Sequence, residues 1–170
     1  MRGRTGPIRG FTFLELLVVV SILAILTAAI IPVYGASLSA MQRRSLRGDM
    51  VAAIYFLQEL SIHQSRELRL LIDTRKGAWY AAGWTAGMGE EATFEPLDER
   101  SLGSPQSIPD SLAVSQVKAR RDRESGLDYI AFYPNGACDP AEIRFGPRRG
   151  GDATFTIETT GALGEVRVTP

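Results

Sequence analysis

Gly10-Phe11-Thr12-Phe13-Leu14-Glu15-Leu16-Leu17-Val18-Val19 opens a run that stays apolar as far as Val33, interrupted only by Thr12, Glu15, Ser21, Thr27 and Pro32. At about 1.5 Å of rise per residue, a helix over Phe11 to Val33 reaches roughly 35 Å, against about 30 Å for a bilayer's hydrocarbon core. A transmembrane helix over 11–33 is therefore expected. Arg2, Arg4 and Arg9 precede it with no acidic residue among them. A short basic flank favours the cytoplasmic side, so the chain beyond Val33 is expected on the other side.

A cleaved secretory signal is the simpler reading of a basic stretch followed by an apolar one. Two features oppose it. The apolar run exceeds the ~7–15 residues usual for such a signal, and the small-residue stretch Ser37-Leu38-Ser39-Ala40 comes late for a cleavage site. Glu15 is the second feature. A carboxylate costs about 2.5–3.5 kcal/mol at the middle of a membrane helix and less near its edge, so a charge retained there points to a task.

These residues resemble the processing site of type IV prepilins and type II secretion pseudopilins. The resemblance implies a basic leader over 1–10, cut after Gly10 by the prepilin peptidase, and methylation of the new terminus at Phe11. It also gives Glu15 the role of the assembly glutamate and Pro32 that of the proline that loosens the helix. It further implies a single pass through a bacterial inner membrane, the N-terminus cytoplasmic and the globular part periplasmic. Elementary chemistry supports each assignment. Cleavage would leave an ammonium at Phe11 close to the Glu15 carboxylate, two charges that need partners in an apolar phase. Glu15 could neutralise its own terminus four residues back, or meet that of a neighbouring subunit. Gly10 suits a tight peptidase cleft. Pro32 removes a backbone donor and crowds the preceding turn, so a kink or local melting is expected between Thr27 and Val33.

Downstream, Leu46, Met50, Ala53, Ile54, Leu57 and Leu60 or Ser61 recur at spacings of three and four and define one face of an amphipathic helix over 34–66. Arg43, Arg44, Arg47, Gln58, Glu59 and Gln64 fall off that face and are expected in solvent. A β-rich globular domain over 67–170 is expected to cover the stripe. Leu68 to Asp73 and Ala78 to Trp84 flank Thr74-Arg75-Lys76-Gly77 and read as a hairpin. Residues 85–110, rich in glycine, proline and acids, read as loop apart from Ala92-Thr93-Phe94. Five short strands follow, over Leu112–Val117, Asp128–Tyr133, Glu142–Phe145, Ala153–Thr159 and Glu165–Thr169. Ile143 and Phe145 alternate with Arg144, and Phe155 and Ile157 with Thr154, Thr156 and Glu158, which gives those strands one buried and one wet face. The fold class is then α+β: a long N-terminal transmembrane helix with a small antiparallel β-sheet or sandwich packed on its C-terminal half.

The hairpin, Phe132-Tyr133-Pro134-Asn135-Gly136 with Ala141-Glu142-Ile143-Arg144-Phe145, and the closing Gly164-Glu165-Val166-Arg167-Val168 narrow the resemblance to the minor pseudopilin H and FimT group. That implies a minor subunit near the tip of a pseudopilus, contacting the other minor pseudopilins and the major one. The acidic calcium loop of the major pseudopilin has no counterpart in this sequence.

The chain has 170 residues, with 19 lysines and arginines balanced by 19 aspartates and glutamates. Balance gives no electrostatic reason to expect nucleic acid as a partner. A minor type IV pilin that binds DNA during uptake is the alternative within the family. Its candidate cations are Arg120-Arg121 and Arg148-Arg149, which read as solvated loop, and the single Arg167 near the C-terminal end. With Cys138 the single cysteine and His63 the single histidine, no disulfide, zinc cluster or Cys/His pair is expected. Gly83, Gly87 and Gly89 lack the lysine-serine or lysine-threonine pair of a phosphate loop, and Glu90-Glu91 and Asp98-Glu99 read as exposed. No catalytic residue, metal or cofactor is expected.

Overall fold

The structure, a computed structural model, describes residues 11–87, 93–97, 102–123, 125–148, 150–161 and 164–170, and over 29–36 the helical backbone. Gly10 with the leader, Glu90-Glu91, Asp98-Glu99 and Arg149 lie outside these residues. The chain divides into two compact units, Met1–Met41 and Gln42–Pro170.

Helix α1 runs from Phe13 to Gln64, so the two helical segments expected over 11–33 and 34–66 are one element that starts two residues late. It is assigned without a break through Pro32, so no melting interrupts it. The bend expected there stays an expectation. Among the described residues no helix is long and apolar enough to cross a membrane. Within the run 11–33 the side chains described are those from Phe11 to residue 28, fewer than the ~20 residues that a span needs. The transmembrane reading therefore rests on the sequence of 11–33. The helix stops at Ser65, whose φ of 50° is left-handed. Ser65 N–H donates to Ile62 O at 3.2 Å and Arg66 N–H to Ser61 O at 3.3 Å, the paired bonds of a Schellman cap.

Among the described residues the globular unit holds ten strands in two antiparallel sheets. One sheet has the order β3-β2-β1-β7-β6 with β4 also beside β2, built from β1 (Leu68–Asp73), β2 (Ala78–Ala86), β3 (Thr93–Pro96), β4 (Gln106–Ser107), β6 (Arg120–Arg121) and β7 (Asp128–Phe132). The other has the order β10-β9-β8-β5, from β5 (Leu112–Lys118), β8 (Ala141–Pro147), β9 (Phe155–Thr160) and β10 (Glu165–Thr169). The expected hairpin is present, with Leu68 opposite Gly83 and Asp73 opposite Ala78. Its turn is tied by Asp73, whose Oδ1 accepts from Arg75 N–H at 3.0 Å and Lys76 N–H at 2.9 Å, and by Gly77 at φ 63°.

Leu46, Met50, Ala53, Ile54 and Leu57 of α1 are buried in one core with Leu68, Leu70, Ile72, Ile130 and Phe132 of the first sheet and Ile143, Phe145 and Ile157 of the second. Burial of each such large side chain stabilises the fold by roughly 1.5–3 kcal/mol, which is what holds the helix against both sheets. Phe145 and Phe155, cross-strand partners, stack with ring centroids 4.7 Å apart. Leu60, proposed with Ser61 for the end of the stripe, is half-buried, and the fully buried residue there is Ser61. Its hydroxyl donates to Gln58 O at 2.8 Å and also lies 3.1 Å from Tyr133 O.

Three expectations need correction. In the region 85–110 the strand content expected at Thr93-Phe94 is present as β3, but β4 also lies there and Leu97 and Ile108 reach the core. Leu97 N–H donates to Ala81 O at 3.1 Å and Ala81 N–H to Leu102 O at 2.7 Å, so the segment satisfies the backbone along β2. Isolated apolar residues among glycines and prolines carry no period that would announce this. Thr156 of β9 is buried rather than wet, whereas Thr159 is buried on the face where alternation with Phe155 and Ile157 puts it. Gln58 is half-buried rather than solvated. Its Nε2 donates to Gly136 O at 2.8 Å, and a Cβ on Gly164, at φ 59°, would stand 1.8 Å from that same nitrogen. One helix side chain thereby seats the turns after β7 and β9.

Candidate assembly surface

The first turn of α1 is built by Thr12. Its Oγ1 accepts from Glu15 N–H at 3.2 Å, and Leu16 N–H donates to Thr12 O at 3.2 Å. Thr12 is thus the N-cap of the helix and Glu15 its third residue, the Thr-x-x-Glu spacing of a capping box. That spacing is visible in the sequence itself. Glu15 also stands in the first turn, where the positive end of the helix dipole favours a carboxylate. Phe11 lies outside the helix and is 71% exposed.

Every described side chain from Phe11 to residue 28 is exposed. Phe13, Leu14 and Ile25 are each at least 70% exposed, and Leu16, Leu17, Val20, Ile22, Leu23 and Leu26 more than half. These positions surround the helix instead of forming one stripe, and Glu15 is the single ionisable side chain among them. A helix apolar on every side needs an apolar phase or other helices around it.

The densest polar cluster of the globular unit is structural. Arg69 on β1 has its guanidinium between the rings of Phe94, 3.4 Å from the centroid, and Tyr129, 4.2 Å away. Its Nε donates to Glu67 at 2.9 Å and its Nη1 lies 3.8 Å from Asp122. The Asp122 carboxyl is held below the usual carboxylate range by hydrogen bonds from Ser125, with Arg69 adding to the effect. Arg120 donates to Tyr133 Oη at 3.0 Å and lies 3.5 Å from Asp139, and Arg121 lies 4.0 Å from Asp128. Arg120-Arg121, read as loop, is the edge strand β6, with Arg120 opposite Tyr129. Both arginines face carboxylates of this chain, which lowers their availability for phosphates. Arg167 is exposed on β10, opposite Glu158.

Tyr133 Oη donates to Asp139 Oδ1 at 2.9 Å, and burial together with that bond pushes the phenol up to about 12 from 10.0. The folded chain holds this proton more tightly than the unfolded chain. Its stabilising contribution is complete below pH 10.0 and is lost as pH rises through about 12. Denaturant unfolding measured across that window should show stability falling with pH, and less steeply in Tyr133→Phe. Equal slopes for the two chains would refute this assignment.

Cys138 is buried, and burial pushes its thiol up, away from reactivity. His63 is exposed in the last turn of α1. No group of three or more metal-binding side chains occurs among the described residues. Gly10, Phe11 and Glu15 were placed together by the sequence reading. Of these, the structure brings Glu15 to the capped helix start and leaves Phe11 just outside it.

Residues 7–31 match the family model described as the prokaryotic N-terminal methylation motif, a span that includes Gly10, Phe11 and Glu15 but not Pro32. No curated protein matches the chain. Two solved structures are similar in fold. One is the minor pseudopilin EpsH from the type 2 secretion system of Vibrio cholerae, with a TM-score of 0.56 and 10% identity over 72% of this chain and 91% of that one. A second structure of EpsH from the type II secretion system of the same organism gives a TM-score of 0.54 and 13% identity over 71% of this chain and 88% of that one.

Proposed function

We infer that this chain, type IV pilin-like in its prepilin-type N-terminal motif and in its fold, is a structural subunit at or near the tip of a type II secretion pseudopilus, and not an enzyme. The observation that carries the inference is the helix start, where a circumferentially apolar surface with one carboxylate runs on into a helix whose later face is the core of a two-sheet domain. In isolation such a surface is a liability. Bundled with the same segment of other subunits, or held in lipid beforehand, it is covered on all sides.

The chain is then a precursor inserted in the inner membrane, cut after Gly10 by the prepilin peptidase and methylated at Phe11, with its globular unit in the periplasm. Its partners are the other minor pseudopilins and the major one. The likeness to EpsH supports the minor, tip-proximal position over that of a repeating shaft subunit.

A photo-crosslinking residue in place of Leu17, in the native host, tests the assembly reading. Adducts with other N-methylated pilin-like subunits are expected, and they should vanish when the secretion genes are silent. Recovery of uncrosslinked chain alone from an active secretion system would overturn the proposal.

A further inference from the structure

The end of the globular unit at which α1 enters is drawn together by three backbone and side-chain contacts. Ser111 Oγ donates to Gln42 Oε1 at 3.0 Å, Arg148 N–H to Ser111 O at 3.4 Å, and Ile108 N–H to Gly77 O at 2.7 Å. The first turns of α1 in this unit, the β1–β2 turn and the turn after β8 therefore share one end. Each contributes cations. Arg43, Arg44 and Arg47 come from the helix, Arg75 and Lys76 from the first turn, and Arg148 from the second.

Of these, Arg44, Arg47, Arg75, Lys76 and Arg148 are exposed and Arg43 is half-buried. The side chains of Lys76 and Arg148 are 83% and 53% exposed. Among the described residues Arg43, Arg44, Arg47 and Arg75 make no ion pair. The local carboxylates offset only part of this charge. Asp73 is turned inward, its Oδ1 occupied by the N–H groups of its own turn, and lies 4.0 Å from Lys76. Asp110 pairs with Arg148 at 3.6 Å, Asp49 accepts from Ser45 at 3.1 Å, and Asp152 is exposed. Helix side chains lean toward the N-terminus of their helix, so the three helix arginines reach back toward the entering end. Beyond Gln42 the chain leads, in sequence, to the apolar run 11–33.

We propose that this basic end docks on the anionic headgroups of the bilayer that holds the apolar run, before the subunit joins a filament. The proposal rests on the anchor reading given above. Lipid phosphates are the complementary chemistry, since guanidinium groups bind phosphate oxygens in pairs. Each basic residue near an anionic surface strengthens binding roughly fivefold. Docking would hold the globular unit against the membrane and release it when filament neighbours compete for the same helix.

The test uses the full chain in lipid nanodiscs. Thr74→Cys, in the exposed β1–β2 turn, carries a fluorophore, while buried Cys138 stays unlabelled and reports an intact fold. Headgroup-attached quenchers read contact. Quenching is expected in discs containing phosphatidylglycerol and not in phosphatidylcholine alone. It should weaken as salt rises from about 0.1 M to about 1 M, where screening shortens from ~10 Å to ~3 Å. Arg44→Gln, Arg47→Gln and Arg75→Gln together should lower the docked-to-free ratio roughly a hundredfold. A chain that stays in the discs without lipid-dependent quenching overturns the docking and leaves the anchor standing. A chain that elutes apart from the discs removes the anchor reading and the docking with it. Release of the probe by a short DNA duplex, at concentrations where inorganic phosphate has no effect, would assign this end to nucleic acid and overturn the proposal as well.

Discussion

Glu15→Ala should be cut after Gly10 like the native chain and yet be absent from sheared filaments, its share falling roughly 10²- to 10⁴-fold relative to the membrane fraction. The size follows from the pairing argument. Removing one partner of a desolvated charge pair costs about 3–5 kcal/mol, because the ammonium of a neighbouring Phe11 is left buried and unpaired. The local role of Glu15 is far smaller. In the structure its backbone N–H bonds Thr12 Oγ1, a contact that alanine keeps. The carboxylate's interaction with the helix dipole accounts for about 0.3–1 kcal/mol. Two further variants separate the roles. Glu15→Gln retains polarity without charge and should fail as alanine does. Thr12→Ala removes the cap at a cost of about 1 kcal/mol and should still assemble. If Glu15→Ala assembles normally, or Thr12→Ala fails as severely, Glu15 acts as a helix-start residue and the intersubunit pair is wrong.

Gly10→Leu is expected to abolish maturation, so that the membrane-bound chain keeps its leader and its intact mass corresponds to all 170 residues. A branched side chain at the residue before the scissile bond must fit a cleft shaped for a bare backbone, and a misfit there acts on the transition state of cleavage. The consequence extends to assembly. Without cleavage no ammonium forms at Phe11, and a neighbouring Glu15 has nothing to pair with. Gly10→Ala should retain partial processing, since one methyl group is the smallest intrusion. Intact-mass spectrometry of the membrane fraction decides the matter, and a mature mass unchanged in Gly10→Leu would place the processing site elsewhere.

The parts of the fold that could be read beforehand are those with a local period or a local turn. The stripe from Leu46 to Leu57 on α1 is set by spacings of three and four, and all five of its residues lie in the core. The β1–β2 hairpin is announced by its turn residues. The strands β8 and β10 lie close to where alternation puts them. At the helix start, Glu15 is marked in the sequence as a charge in an apolar run, and its spacing from Thr12 is that of a capping box. The two-residue strands β4 and β6 are too short to show a period and exist because longer strands present edges to them.

The sequence by itself determined the helix with its apolar beginning, the single acid near its start, the amphipathic continuation and a β-rich remainder, because each of these is written in residues a few positions apart. Only the tertiary structure decided that the strands divide between two sheets, that β1 lies between β2 and β7, and that β9 buries Thr156. It also decided that Gln58 meets Gly136, that Arg69 sits between two rings, and that six cations gather where α1 enters the globular unit. Those outcomes depend on contacts between residues tens of positions apart, whose pairing is chosen by the packing of the whole core and leaves no trace in any short window of the chain.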